Sequence, residues 1–156
     1  MKIFYLLLPL MLFIACKSSN EDTSVEKEET TIQLPPAIAP AKLVQIFENC
    51  DHIDFIFTNL PFSISQDDKS SIQQTVRQIE PRKPEGIDFS CNYMAEQIFM
   101  SEGEIILDAK IFFEGKCTYY LFYEDGKPKY SASMTQAGIT FYNNILAQAK
   151  ATNANG

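Results

Sequence analysis

Residues 91 to 134 read CNYMAEQIFMSEGEIILDAKIFFEGKCTYYLFYEDGKPKYSASM, and along this stretch apolar side chains recur at every second position. Period two is the spacing of a strand, whose successive side chains point to opposite faces. Turn signals stand at Ser101-Glu102-Gly103, Glu114-Gly115-Lys116 and Asp125-Gly126. The stretch therefore predicts four strands in an antiparallel meander. Asp125-Gly126 is the most specific signal, because a type I′ loop needs positive φ at both central residues and Asp-Gly adopts it at little cost. It sets Glu124 opposite Lys127, Tyr123 opposite Pro128, Leu121 opposite Tyr130 and Tyr119 opposite Ala132. With three-residue loops at the other two turns, Phe99 faces Ile105, Gln97 faces Leu107, Phe113 faces Cys117 and Ile111 faces Tyr119.

On that register one face carries Tyr93, Phe99, Ile105, Leu107, Ile111, Phe113, Tyr119, Leu121, Tyr130 and Met134, and is assigned to the core. The opposite face carries Glu96, Asp108, Lys110, Glu124, Lys127 and Lys129. A face that meets only water should be polar throughout. Here Met94, Ile98, Ile106, Phe112, Tyr120 and Phe122 are interleaved with the charges, which marks a candidate binding face. The same interleaving is also produced by ordinary cross-strand pairing.

Upstream, Leu43, Val44, Ile46 and Phe47 fall on one face of a helix over 41 to 49, and Ile53, Phe55 and Phe57 then alternate as a strand. A single helix running through Phe57 fits a second reading of the same residues. Ser65 followed by Asp68 opens a helix through Ile79 with Ile72, Val76 and Ile79 on its buried face. Pro81, Pro84 and Gly86 end it. A last helix runs from Thr135 to about Lys150 and buries Ile139, Tyr142, Ile145 and Leu146. The expected fold class is α+β: a two-layer domain with a four- to five-stranded antiparallel meander sheet packed on one face by two helices. Its expected bounds are 41 to 150, with 151 to 156 a flexible C-terminus.

The 156 residues open with a different composition. Lys2 precedes an apolar run from Ile3 to Ala15, broken by Pro9, and Ala15 stands directly before Cys16 and the polar Lys17, Ser18 and Ser19. A charged start, a short apolar stretch and a small residue form an export signal over 1 to 15. The run is shorter than the roughly 20 residues that a membrane-crossing helix needs. Ala15-Cys16 resembles the lipobox of bacterial lipoproteins, with Phe13 standing where Leu is usual. That resemblance implies a diacylglycerol thioether on Cys16 (palmitate-type acylation), cleavage in front of it, and anchorage in the cell envelope at the outer membrane, periplasmic or surface-exposed. Asn20, Glu21 and Asp22 are similar to the acidic surface-export tag of some Bacteroidota lipoproteins, and a plain solvated spacer has the same composition.

From Lys17 to Pro40 no hydrophobic periodicity exists, acidic residues recur, and Pro35, Pro36 and Pro40 close the stretch. Residues 16 to 40 are therefore expected to be a disordered tether, with a coil reach of about 25 to 30 Å. With 13 basic against 20 acidic residues the chain has a formal net charge of -7. The basic residues form no stripe, so nucleic acid is not an expected partner.

With Cys16 lipidated, Cys50, Cys91 and Cys117 remain in an oxidising compartment, which predicts one disulfide and one leftover thiol. On the register above, Cys91 and Cys117 stand about 10 Å apart across two strand steps, beyond the about 7 Å that a disulfide spans. Cys50 with Cys91 or Cys50 with Cys117 is therefore expected. The only histidine, His52, lies two residues from Cys50 and two from Asp54, so a Cys-dependent site over Cys50 to Asp54 is the second functional reading. No phosphate loop, nucleophile elbow or zinc motif is present. No catalytic residue, metal site or cofactor is assigned. The first functional expectation is a non-enzymatic envelope lipoprotein that binds another envelope protein or polymer. The second is a small-ligand-binding or Cys-dependent enzymatic domain.

Overall fold

A computed structural model describes residues 34 to 154. The export signal over 1 to 15, the lipidation site Cys16, the tether as far as residue 33 and the last two residues lie outside the described residues. The elements are α1 (Pro40–Asn49), β1 (His52–Phe57), β2 (Ser63–Gln66), α2 (Lys69–Val76), β3 (Ile79–Glu80), β4 (Ala95–Ser101), β5 (Glu104–Glu114), β6 (Cys117–Glu124), β7 (Lys127–Met134) and α3 (Gln136–Ala154). The architecture is mixed α/β, a curled antiparallel sheet of seven strands in the order β2-β1-β4-β5-β6-β7-β3 with three helices.

The meander is where the sequence places it, but the strand count is higher than the four or five expected. β2 and β3 are the additions, and each occupies a sheet edge. Ser63-Ile64-Ser65-Gln66 is a short alternation that pairs with β1, Phe55 opposite Ile64, and it takes up residues assigned to the second helix. That helix begins later, at Lys69, because Asp68 rather than Ser65 is the cap: its carboxylate accepts from the Ser71 N–H at 2.9 Å. The hydrogen bonds from Ser70 and Ser71 hold the Asp68 carboxyl below its ordinary pKa. At the N-terminal side the helix-then-strand reading of 41 to 57 is the correct one. Cys50 turns extended (φ -65°, ψ 129°) and ends α1. The Lys69 ammonium then donates to the Glu48 carbonyl at 2.7 Å and the Cys50 carbonyl at 3.1 Å, which satisfies carbonyls left free at the α1 C-terminus.

The end of the expected tether is part of the fold. Ile38 is buried, its N–H donates to the Ser131 carbonyl at 2.8 Å, and the Ser131 N–H donates to the Pro36 carbonyl at 2.8 Å. This segment and β3 together cover the outer edge of β7, an edge that would otherwise present unpaired backbone groups.

All three hairpins of the meander close with two-residue turns, which corrects the three-residue loops expected at the first two. Glu102 and Gly103 (φ 52° and 81°) and Asp125 and Gly126 (φ 52° and 72°) have the double positive φ of a type I′ turn. Gly115 alone has positive φ in the Gly115-Lys116 turn, as type II′ requires at its first position. Closing β5–β6 with one residue fewer pairs Ile111 with Tyr120 and Phe112 with Tyr119, and a shift of one residue exchanges the faces of a whole strand. The pairings nearest Asp125-Gly126 are as expected, Glu124 with Lys127 and Tyr123 with Pro128, but an irregularity follows and Phe122 meets Tyr130. A second irregularity pairs Phe99 with Leu107.

The helix-side face consequently carries Ile53, Phe55, Phe99, Leu107, Ile111, Tyr120, Phe122, Ala132 and Met134. They form one buried cluster with Leu43 and Ile46 of α1, Ile72 and Val76 of α2, and Tyr142 and Ile145 of α3. All three helices feed this cluster, one more than the two expected. Tyr119, Leu121 and Tyr93, assigned to the core face, lie instead in a second cluster with Phe112, Cys117, Ile87 and Cys91. Ile105, also assigned to the core, is 64% exposed.

The second cluster exists because the connection from β3 to β4 folds over the sheet face opposite the helices. The Tyr119 hydroxyl accepts from the Asp88 N–H at 3.2 Å and donates to the Asp88 carbonyl at 2.9 Å. Asp88 is held at about 2 by the Ser90 hydroxyl and the Lys116 ammonium, 3.0 Å away. Cys91 and Cys117 form the disulfide, with Cα atoms 6.6 Å apart, and among the described residues Cys50 is free and buried. Both expected pairings with Cys50 are thus replaced. The 10 Å separation assumed Cys91 on a strand, whereas it sits in the connection that crosses above β6. Closing a loop of separation 26 predicts that the double substitution Cys91→Ala, Cys117→Ala lowers unfolding free energy by about 3 kcal/mol. Urea denaturation would show this as a lower midpoint, and an unchanged midpoint would mean that the connection is held by apolar packing alone.

Candidate functional site

The α2 sequence KSSIQQTV turns Ile72 and Val76 to the core, and a second stripe, Ser71, Gln74, Thr75 and Gln78, follows the i, i+3, i+4, i+7 spacing along one side. Along α3, Gln136, Thr140 and Asn144 repeat every fourth residue, with Ala137 and Phe141 beside them. The two stripes face one another, and with Gln66 of β2 they line a cleft of about 450 Å³. The lining holds five carboxamides and three hydroxyls and no charged side chain.

The helix ends that frame this cleft are pinned together. Thr135 caps α3, its hydroxyl oxygen accepting from the Gly138 N–H at 3.3 Å. The Thr135 N–H donates to the Gln78 carbonyl at 2.9 Å. A Cβ on Gly138 would stand 2.8 Å from Met134 Cγ and 3.1 Å from Gln78 Cβ, so glycine permits the close approach of α3 to the chain after α2. Inside the cleft the Thr75 hydroxyl donates to Gln66 Oε1 at 2.8 Å. Phe141 is braced from behind by Phe55 and Tyr142, with ring centroids 5.9 and 5.1 Å away. Gln78 is 4% exposed, and its Oε1 has no hydrogen-bond partner. A buried carbonyl oxygen without a donor costs about 1–3 kcal/mol.

The six residues of the candidate binding face do not share a face. Tyr120 and Phe122 are fully buried beneath the helices, where burial raises the Tyr120 phenol pKa, and Phe112 is buried in the second cluster. Met94 and Ile106 are half-buried against the helix-side cluster. Ile98 alone lies half-buried on the outer sheet face, between Asp54 and Asp108 on the neighbouring strands. The charged and aromatic residues there are engaged in packing, the Lys110 ammonium lying 4.4 Å from the Tyr93 ring centroid and 5.0 Å from that of Tyr123.

The Cys50 to Asp54 segment divides across β1. Cys50 is inside the core, and its thiol donates to the His52 carbonyl at 3.2 Å. His52 and Asp54 are on the outer face, where the imidazole Nε2 is 3.1 Å from Asp54 Oδ1 and the Ser65 hydroxyl donates to the same oxygen at 2.5 Å. That Ser65 bond, ahead of His52, holds the Asp54 carboxyl below its ordinary range. The imidazole therefore faces away from the thiol that it would have to deprotonate. Asp88 stands beside Cys91 and Cys117, with the three ligand-type atoms within 4.8 Å of one another, but sulfurs bonded to each other offer no thiolate to a metal.

Comparison with protein-family models, with curated proteins and with solved structures finds no match. The site therefore stands on its own geometry.

Burial raises the Cys50 thiol above its ordinary value of 9.0, so near neutral pH the folded protein holds it as the unreactive thiol. Alkylation of the native protein near pH 8 should be slow at Cys50 and become fast once urea exposes it. Rapid modification of the native chain would restore the Cys-dependent reading.

Proposed function

We propose that the protein is a non-enzymatic binding module of the bacterial cell envelope, anchored to the outer membrane through lipid on Cys16, with the α2–α3 cleft as its ligand site. The observation that carries the binding half is Gln78. Gln78 lines the cleft, is 4% exposed and has a carboxamide oxygen without a donor, which lowers the stability of the empty fold, and turning that carboxamide toward the cleft would let a ligand supply the missing hydrogen bond. The alternation of helix stripes supports it, since both helices turn uncharged polar groups toward the same space. The address is supported by the residues before it: Lys2, the apolar run to Ala15, and the small residue directly ahead of Cys16.

Two experiments test the two halves separately. Expressed in its bacterial host, the wild-type chain should enter the detergent-rich phase on detergent partitioning and incorporate labelled palmitate. The Cys16→Ser chain should do neither. For the cleft, Gln78→Met keeps the side-chain volume and removes the unpaired acceptor. It should raise the unfolding free energy of the ligand-free protein by about 1 kcal/mol, read from urea denaturation. A loss of stability of that size would mean that Gln78 is a structural residue, and the cleft would cease to be the favoured site.

A further inference from the structure

We infer that the ligand of the α2–α3 cleft is an uncharged carbohydrate, taken through neighbouring ring hydroxyls; this inference rests on the cleft being the binding site. Charge is the first discriminator. None of the lining side chains is ionisable, so a phosphate, carboxylate or ammonium group entering the cleft would exchange water for partners of no opposite charge, at a large desolvation penalty. A neutral ligand carries no such penalty.

The second discriminator is the kind of hydrogen bond on offer. A sugar hydroxyl both donates and accepts, and a carboxamide presents an acceptor oxygen next to two N–H donors, so one carboxamide can meet two adjacent hydroxyls at once. Gln74, Gln136 and Asn144 are solvent-accessible groups of this type on the two walls. Gln78 lines the cleft with its Oε1 unpartnered and closed to solvent, so a hydroxyl donor reaches that acceptor once the carboxamide turns toward the cleft. Gln66 is already oriented by Thr75.

The third discriminator is the apolar strip. Ala137 and Phe141 are four residues apart on α3 and stand on one wall. Phe141 is held by Phe55 and Tyr142, which gives the cleft a fixed ring. A pyranose has one face of C–H groups that packs on such a ring while its hydroxyls point sideways to the amides. A volume of about 450 Å³ lies within the range of small-molecule sites, about 300–1,000 Å³. A peptide would need pockets for alternate side chains along the groove, and these walls offer it one aromatic ring and one alanine.

The test uses the full-length lipoprotein in detergent, screened on immobilised cello-, malto-, manno- and chito-oligosaccharides, on uronic-acid oligosaccharides and on a random peptide set. Affinities of the binders are then measured by calorimetry. At least one neutral oligosaccharide should bind. Gln78→Met should weaken it about tenfold, the equivalent of one buried hydrogen bond. Gln74→Ala and Asn144→Ala, at exposed positions where folding is not at stake, should each weaken it several-fold, and Ile56→Ser on the outer sheet face should leave it unchanged. Preferential binding of the acidic oligosaccharides, or no binding of any neutral one, overturns the inference. Binding of a peptide that is lost in Gln78→Met also overturns it while leaving the cleft as the binding site. The cleft itself fails only if Gln78→Met destabilises the ligand-free protein, so the two failures are distinguishable.

Discussion

The pairing of Ile111 with Tyr120, set by the two-residue turn at Gly115 and Lys116, decides which side of the sheet receives each aromatic residue of β6. Side chains alternate strictly along a strand, so Tyr120 and Phe122 go under the helices while Cys117, Tyr119 and Leu121 go to the other side. Both sides of β6 are therefore apolar and both must be covered. The three helices cover one. The connection before β4 covers the other, tied by the Tyr119 hydroxyl to Asp88 and by the Cys91–Cys117 disulfide. The disulfide choice follows from the same register, since it is the crossing connection that brings Cys91 above Cys117 and leaves Cys50 in the core.

The same core positions the cleft. Met134, Ile72, Val76 and Tyr142 hold α2 and α3 against the sheet, and the absent side chain at Gly138 lets their ends meet. Once the apolar stripes are turned inward, helical periodicity leaves the amide and hydroxyl stripes no choice but to face each other. Among the described residues the Gln78 oxygen is one of five buried side-chain atoms without a partner, beside both amide atoms of Gln97 and the Tyr120 and Tyr142 hydroxyls, and of these residues Gln78 alone lines the cleft.

Period two over 91 to 134, the Asp125-Gly126 turn and most buried positions of the three helices were legible in the residues, because each is a local relation between near neighbours. Val44, expected on the α1 apolar face, is instead 54% exposed, and the second helix stops at Val76, so that Ile79 falls in β3. The strand edges were not. β2 is a four-residue alternation with polar Ser63, Ser65 and Gln66, which carries almost no hydrophobic signal and becomes a strand through pairing with β1. The candidate binding face failed for a similar reason. Its six residues were collected by parity, and parity is inverted by a turn shorter by one residue and by bulges near Phe99 and Phe122. The cleft's only local signal is the polar spacing of Ser71, Gln74, Thr75 and Gln78, which has the form of a solvated helix face until a second polar stripe is found opposite.

The amino-acid sequence by itself determined the lipobox-like opening at Cys16, the antiparallel meander and the polarity of each helix face, since these depend on residue types at short spacing. Tertiary structure alone decided which cysteines bond, which face of β6 each aromatic enters, and that two polar stripes distant in sequence, Ser71 to Gln78 and Gln136 to Asn144, enclose one cleft. The physical reason is that a one-residue change in pairing costs little locally yet exchanges whole faces, and that a cleft between two helices is a property of neither.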